Sequence, residues 1–137
     1  MPILPLTEEN FEQEALQAEG PVLVDLFAAW CGPCRALAPV LETLAEARPE
    51  LRIGKVDVDA QPELAARFDV LTVPTLLLFR SGRLLRRVLT EDAGCALGQD
   101  GRNEGMAVNP LAFYGHEEIA GLYFAAVNDH AVYLDSF

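Results

Sequence analysis

Two cysteines, Cys31 and Cys34, stand in the pentapeptide Trp30-Cys31-Gly32-Pro33-Cys34, just after the apolar run Val22-Leu23-Val24-Asp25-Leu26-Phe27 and the pair Ala28-Ala29. The run has the β-branched content of a buried strand, and helical spacing begins at Cys34, so the pair falls where a strand hands over to a helix. Thiols so spaced open and close a disulfide without moving the chain far. Disulfide exchange needs an attacking thiolate, a resolving thiol within reach, and geometry that lets the two close. The free N–H groups and partial positive charge of a helix N-terminus favour the thiolate. Cys31 is therefore expected at the N-cap, exposed and activated, with Cys34 one turn in, its sulfur facing Cys31 and partly covered. Gly32 lets a partner backbone come close. Pro33 stiffens the turn, and with it the balance between dithiol and disulfide.

The same spacing could be half of a zinc site, which needs two more ligands. Cys95, His116 and His130 are the spare candidates, and all lie in the last third of the chain. The expectation is no metal and no cofactor beyond a redox-active Cys31–Cys34 disulfide. Cys95 reads as an inert thiol or, alternatively, a regulatory one. The two histidines read as solvated loop residues.

Composition narrows the class further. With 137 residues, 51% hydrophobic and 23% charged, the chain suits one folded domain. A net charge of −11 argues against nucleic acid and against anionic membrane surfaces as partners. No stretch is long enough to span a bilayer. Met1 to Glu9 shows neither a basic n-region nor an apolar h-region, so a cytoplasmic location is expected. Thiols there are kept reduced, and a cysteine pair reads as redox or metal chemistry rather than a structural staple.

The elements that must position the pair follow from periodicity. Thr7 before Glu8-Glu9 marks a helix start, and Phe11, Ala15, Leu16 and Ala18 give it an apolar stripe ending at Gly20-Pro21. Pro21 to Phe27 is a strand buried on both faces. A helix with Leu37, Val40, Leu41 and Leu44 inward runs from Cys34 to Arg48-Pro49, with a kink expected at Pro39. Leu51–Asp57 is a strand, Asp59-Ala60-Gln61-Pro62 opens a short helix through Phe68, and Val73–Phe79 is a strand entered through Pro74. Ser81-Gly82 turns into a last strand, Arg83–Leu89. The order is read as β-α-β-α-β-α-β-β, an α/β fold with a central mixed sheet flanked by helices on both faces.

These residues carry a resemblance. Val24 to Arg35 is similar to the active-site segment of the thioredoxin family. Lys55-Val56-Asp57-Val58-Asp59 and Val73-Pro74-Thr75-Leu76-Leu77-Leu78-Phe79 match two further segments at the family's spacing. The match covers roughly residues 3–89 and implies the thioredoxin fold. It implies that Cys31 attacks a substrate disulfide and that Cys34 resolves the mixed disulfide. Asp25, its pKa raised by desolvation, would be base for Cys34, with Lys55 beside it tempering that shift. Pro74 would be a cis-proline facing the disulfide and, with Val73, would offer backbone to an extended substrate. Trp30 would pack at the site and contact partners. The partners implied are client proteins with disulfides and a thioredoxin reductase as electron donor; a monomer is expected.

The chain divides into a core, 1–89, and a divergent acidic segment, 90–137. The segment holds eight acids and, of the bases, only Arg102. Glycines at 94, 98, 101 and 105 without periodicity read as a loop over 91–109. Residues 116–127 fit a helix that could supply the last helix of the fold; a hairpin of Leu122–Val127 and Ala131–Leu134 is the alternative. Leu89 stands near a position where the family has a glycine, so a reshaped substrate groove is expected. The leading reading is a protein disulfide reductant cycling between dithiol and disulfide. A second is a binding module on the same fold, its acidic segment docking a partner and redox secondary. A third, a disulfide oxidant or isomerase, is disfavoured by Gly32-Pro33 and by the absent signal.

Overall fold

Runs of apolar residues broken by turn-forming ones divide the chain into β1 (Leu4–Pro5), a π-helical turn (Glu12–Leu16), β2 (Val22–Phe27) and α1 (Gly32–Ala47). After these come β3 (Arg52–Asp57), α2 (Pro62–Arg67), β4 (Thr72–Val73), β5 (Thr75–Arg80), β6 (Arg83–Leu89) and β7 (Cys95–Ala96). The computed structural model describes residues 3–89, Leu89 by its backbone, together with the backbone of 95–96.

Five strands form a mixed sheet in the order β1-β3-β2-β5-β6. β2 is its axis, parallel to β3 from Val22↔Arg52 to Phe27↔Asp57 and antiparallel to β5 from Val22↔Phe79 to Leu26↔Thr75. Strands paired on both edges and covered on both faces are uniformly apolar, and β2 is buried from Val22 to Leu26. Side chains alternate across the sheet. Leu23, Ile53, Leu76 and Leu78 meet Leu37, Leu41 and Ala45 of α1 on one face. Val24, Leu26, Val56, Leu77 and Phe79 meet Phe11, Ala15, Leu64 and Ala65 on the other. There Phe11, Phe68 and Phe79 form a triad with centroids 5.4–5.8 Å apart. Each fully buried Leu or Phe contributes about 1.5–3 kcal/mol. The mixed sheet with helical cover on both faces is the architecture expected from the sequence.

Local differences have local causes. The Thr7 side chain does cap, accepting from Asn10 N at 3.3 Å while Asn10 Oδ1 accepts from Thr7 N at 2.7 Å. The turn so closed, Thr7–Asn10, leads into a five-residue π-helical turn whose own N-cap, Phe11, carries no side-chain cap and which is closed by Gln17 N→Glu12 O at 2.9 Å, not into a full amphipathic helix. Phe11 and Ala15, four residues apart, are its anchors in the core. Helix α1 starts at Gly32, two residues earlier than the apolar spacing indicates, and continues through Pro39. The Ser81-Gly82 hairpin forms with both residues at positive φ, 53° and 79°, which two-residue turns between twisted strands require.

The larger correction concerns Pro74. Thr72–Val73 does not extend β5; it pairs antiparallel with Cys95–Ala96 as a separate two-stranded ladder, Thr72↔Ala96 and Val73↔Cys95. Two residues within the stretch read as loop over 91–109 are thus strand. A pairing across more than twenty residues leaves no periodic mark on so short a segment. The expectations for the rest of 90–137 lie outside the described residues, including the helix or hairpin at 116–127 and the two histidines.

Candidate active site

Helix α1 begins at the cysteine pair. Cys31 is its N-cap, extended at φ −88° and ψ 113°, and its sulfur accepts the backbone N–H of Cys34 at 3.3 Å. A sulfur here replaces the hydroxyl or carboxylate oxygen that usually satisfies a free N–H. Pro33 occupies the first turn, where a missing N–H costs nothing. A Cβ at Gly32 would meet only Arg35 Nη2, at 3.9 Å, so this chain leaves room there. Arg35 in turn donates to Ala29 O at 2.8 Å and ties the loop before the pair to the helix.

Both thiols are free and both are buried, Cys31 at 0% and Cys34 at 3% exposure. The expectation that Cys31 is exposed is therefore corrected. Its sulfur lies against β4, 3.6 Å from Val73 O, within the cluster that holds Ala28, Val70 and Val73. The Cys34 thiol is pushed up, first by its hydrogen bond to Cys31 and then by burial, with a smaller contribution from the Asp25 charge. Cys34 thus keeps its proton and shares it with the Cys31 sulfur. Negative charge on Cys31 is met by an N–H and an S–H at the positive end of a helix.

Asp25 lies on the α1 face of β2, alternating with Leu23, and is completely buried. Neither of its oxygens has a hydrogen-bond partner among the described residues. Burial pushes its pKa up to about 7; the Lys55 charge lowers it, and charge on Cys31 raises it again. Lys55 is the register partner of Asp25 on β3, with Nζ over the Phe27 ring at 4.8 Å. The Val73–Pro74 peptide is cis. The Thr75 hydroxyl donates to Thr72 O at 2.7 Å across it. Trp30 is half-buried, and its Nε1 donates to Asp59 Oδ2 at 2.9 Å.

The structure thus brings Cys31, Cys34, Gly32, Pro33 and Val73 together at the head of α1, with Pro74 next to Val73 in the chain. Asp25 and Lys55 share the sheet face beneath that helix. Among the described residues no three His, Cys, Asp or Glu side chains assemble a metal site, and no helix is long and apolar enough to cross a membrane.

A family model described as thioredoxin matches residues 2–97. The chain belongs to the thioredoxin family. A thioredoxin from Alicyclobacillus acidocaldarius is 48% identical over 85 residues, covering 61% of this chain and 80% of that one. A thioredoxin from Mycobacterium tuberculosis is 43% identical over 93 residues, covering 67% and 80% respectively. A bifunctional thioredoxin reductase/thioredoxin from Mycobacterium leprae is 43% identical over 96 residues, 69% of this chain and 21% of its own length.

Membership in the thioredoxin family makes the protein a thiol–disulfide oxidoreductase, and the cysteine pair is where that chemistry resides. Two features of this thioredoxin-family site lie beyond sequence reasoning. One is Asp59 as the anchor of Trp30. The family spacing of Lys55–Asp59 does not say that its last carboxylate reaches back 29 positions. The other is strand β7 on the Val73 edge, for which the sequence carries no signal.

Proposed function

We propose that the protein is a thioredoxin-type electron carrier that reduces disulfides in client proteins, with Cys31 as nucleophile and Cys34 as resolving thiol. The Cys31 thiolate attacks one sulfur of a client disulfide, forming a Cys31–client bond while the client S–S bond breaks. The departing client thiolate takes up a proton. The Asp25 carboxylate accepts the Cys34 proton, directly or through water, and the Cys34 thiolate attacks the Cys31 sulfur. The Cys31–Cys34 disulfide forms as the second client thiolate leaves. Two electrons pass to the client, and a flavoprotein thioredoxin reductase returns them. Lys55 moderates the acidity of Asp25, while Trp30, Gly32, Pro33, Val73 and Pro74 contact the client. The disulfide is the only redox group required. The location is cytoplasmic and the working form a monomer.

The observation that carries this reading is the Cys31 sulfur at the α1 N-cap, 3.3 Å from Cys34 N and 3.6 Å from Val73 O. A thiolate stabiliser and a backbone edge for a peptide therefore meet at one atom. The reductase partner is supported by the Mycobacterium leprae relative, a bifunctional thioredoxin reductase/thioredoxin on one chain.

Insulin reduction tests the reading. Wild type should turn over, Cys31→Ser should lose activity by about three orders of magnitude or more, and Cys34→Ser should accumulate a mixed disulfide at Cys31. The potential of the pair should lie well below the glutathione pool. A potential far above that pool would overturn the reductant assignment.

A further inference from the structure

Helix α2 ends in a reversal that turns the chain toward Cys31. Val70 N donates to Ala65 O at 2.9 Å and Asp69 N to Ala66 O at 3.2 Å, with Asp69 at φ 54°. Two such bonds around a left-handed residue make a Schellman termination, whose left-handed place usually falls to glycine. An aspartate adopts that conformation at a cost glycine does not carry. Beyond the carbonyls so used, Phe68 O and Asp69 O are met from another strand. Arg87 of β6 donates from Nη2 to Phe68 O and from Nη1 to Asp69 O, the latter at 3.4 Å. A cation there also suits the negative end of a helix. The Arg87 backbone meanwhile stands opposite Leu77 in the β5–β6 ladder. One residue therefore holds the chain on both sides of residues 70–76, the stretch in which Val73 O lies 3.6 Å from the Cys31 sulfur.

We infer that Arg87 is a positioning residue for disulfide reduction: its guanidinium holds the Phe68–Asp69 reversal and, through it, the Val73 backbone beside Cys31. The inference rests on the disulfide-reductant reading, in which Val73 offers backbone to the client, and adds the residue that fixes where that backbone stands. Only Val70, Leu71 and Thr72 lie between the clamped carbonyls and Val73. Val70 and Val73 are packed in one core cluster, and close-packed residues pass a displacement on instead of absorbing it. A planar guanidinium with two nitrogens on two carbonyls also fixes an orientation that a single ammonium does not. Arg87 acts through Val73 and takes no part in the exchange of thiols.

The test compares Arg87→Met and Arg87→Lys with wild type in the full chain. It reads KM and kcat for a synthetic peptide disulfide and, by NMR, the Val73 carbonyl carbon of the reduced protein. Methionine keeps an apolar stem and removes every donor. KM should then rise about three- to tenfold with kcat within about twofold, and the Val73 carbonyl resonance should move. Lysine keeps the charge but reaches one carbonyl at a time, so both readouts should move the same way by less. If the methionine variant does not fold, the lysine variant decides, and wild-type values in it overturn the inference. Lower stability with both readouts unchanged would show that packing alone holds β4, and overturns it too. So does a raised KM with an unmoved Val73 carbonyl, a moved carbonyl at wild-type KM, or a fall in kcat alone. If wild type reduces no disulfide, the reductant reading fails, and the Val73 carbonyl alone decides whether Arg87 positions that backbone.

Discussion

Asp25 and Lys55 face each other in the parallel register of β2 and β3, yet no ion pair joins them. The Lys55 ammonium rests over the Phe27 ring, 4.8 Å from its centroid, and both Asp25 oxygens are without a hydrogen-bond partner among the described residues. Desolvation therefore outweighs the attraction of the nearby cation, and the carboxyl is held near pH 7 instead of the acid range. A buried carboxyl that titrates at neutral pH can hold a proton in one step of a cycle and release it in the next.

Asp25 makes stability fall with rising pH. Its folded pKa of about 7 lies above its ordinary value of 3.8. Between those two pH values the folded state keeps a proton that the unfolded chain has lost. Stability should therefore drop by up to about 1.4 kcal/mol per pH unit across that window, about 4 kcal/mol in all, and level off above pH 7. In Asp25→Asn this component should vanish. Urea denaturation at pH 4.5, 6 and 8 checks it through the difference between variant and wild type, which removes the slope from other groups. Parallel slopes would falsify the assignment.

Lys55→Met should push the Asp25 pKa above 7, because the cation it deletes is the contribution that lowers it. The pH at which the Asp25 carboxyl carbon titrates by NMR should move up, as should the rising limb of the activity profile. The Phe27 ring keeps an apolar neighbour in methionine, so packing changes little. A downward shift of either inflection would show that Lys55 acts on Asp25 by some other route.

Much of this architecture is legible in the sequence because the signals are local. The alternation that puts Leu23 and Asp25 on one face of β2 is written in consecutive residues. So are the Ser81-Gly82 hairpin and the cap at Cys31. The spacing of the motifs places Asp25 in its strand and the cysteines at the helix end where they are found. The features that sequence does not reveal are non-local or set by packing. A place at a helix end suggests an exposed Cys31, whereas burial there depends on β4 lying across it. The β4–β7 ladder joins residues more than twenty positions apart through backbone groups that every residue carries. Phe11 and Ala15 make a sound helical stripe, but their backbone closes as a π-helical turn, a choice that periodicity does not resolve.

Gly54→Ala should destabilise the fold by about 1–3 kcal/mol, the range for overpacking a filled site. A Cβ there would lie 2.4 Å from Leu6 Cδ1 and 2.8 Å from Leu6 Cγ, with Leu4 O at 3.4 Å. Leu6 is itself 2% exposed and has little room to swing away. Since Gly54 pairs with Leu4 on β1 and Val24 on β2, the strain falls on the β1 edge. The denaturation midpoint should drop with an unchanged m-value. Truncating Leu6 in the same chain should recover part of the loss, an interaction that a double-mutant cycle reads directly.

Asp59→Ala should release the Trp30 indole. Asp59 Oδ2 accepts Trp30 Nε1 at 2.9 Å, while Asp57 Oδ1 accepts the Asp59 and Ala60 amides at 2.9 and 3.4 Å and fixes the turn that presents it. Trp30 is the sole tryptophan, so its fluorescence anisotropy reports this contact alone. Loss of the bond should quicken local indole motion and raise client KM by about two- to fivefold, equivalent to roughly 0.5–1 kcal/mol of ordering. Stability should change little, because the bond is exposed. Asp59→Asn keeps an oxygen acceptor at the same reach and should restore both anisotropy and KM. If Asn and Ala behave alike, the carboxylate matters for its charge and not for holding the ring. If neither variant moves the anisotropy, Trp30 is held by its packing against the core cluster and Asp59 has no positioning role.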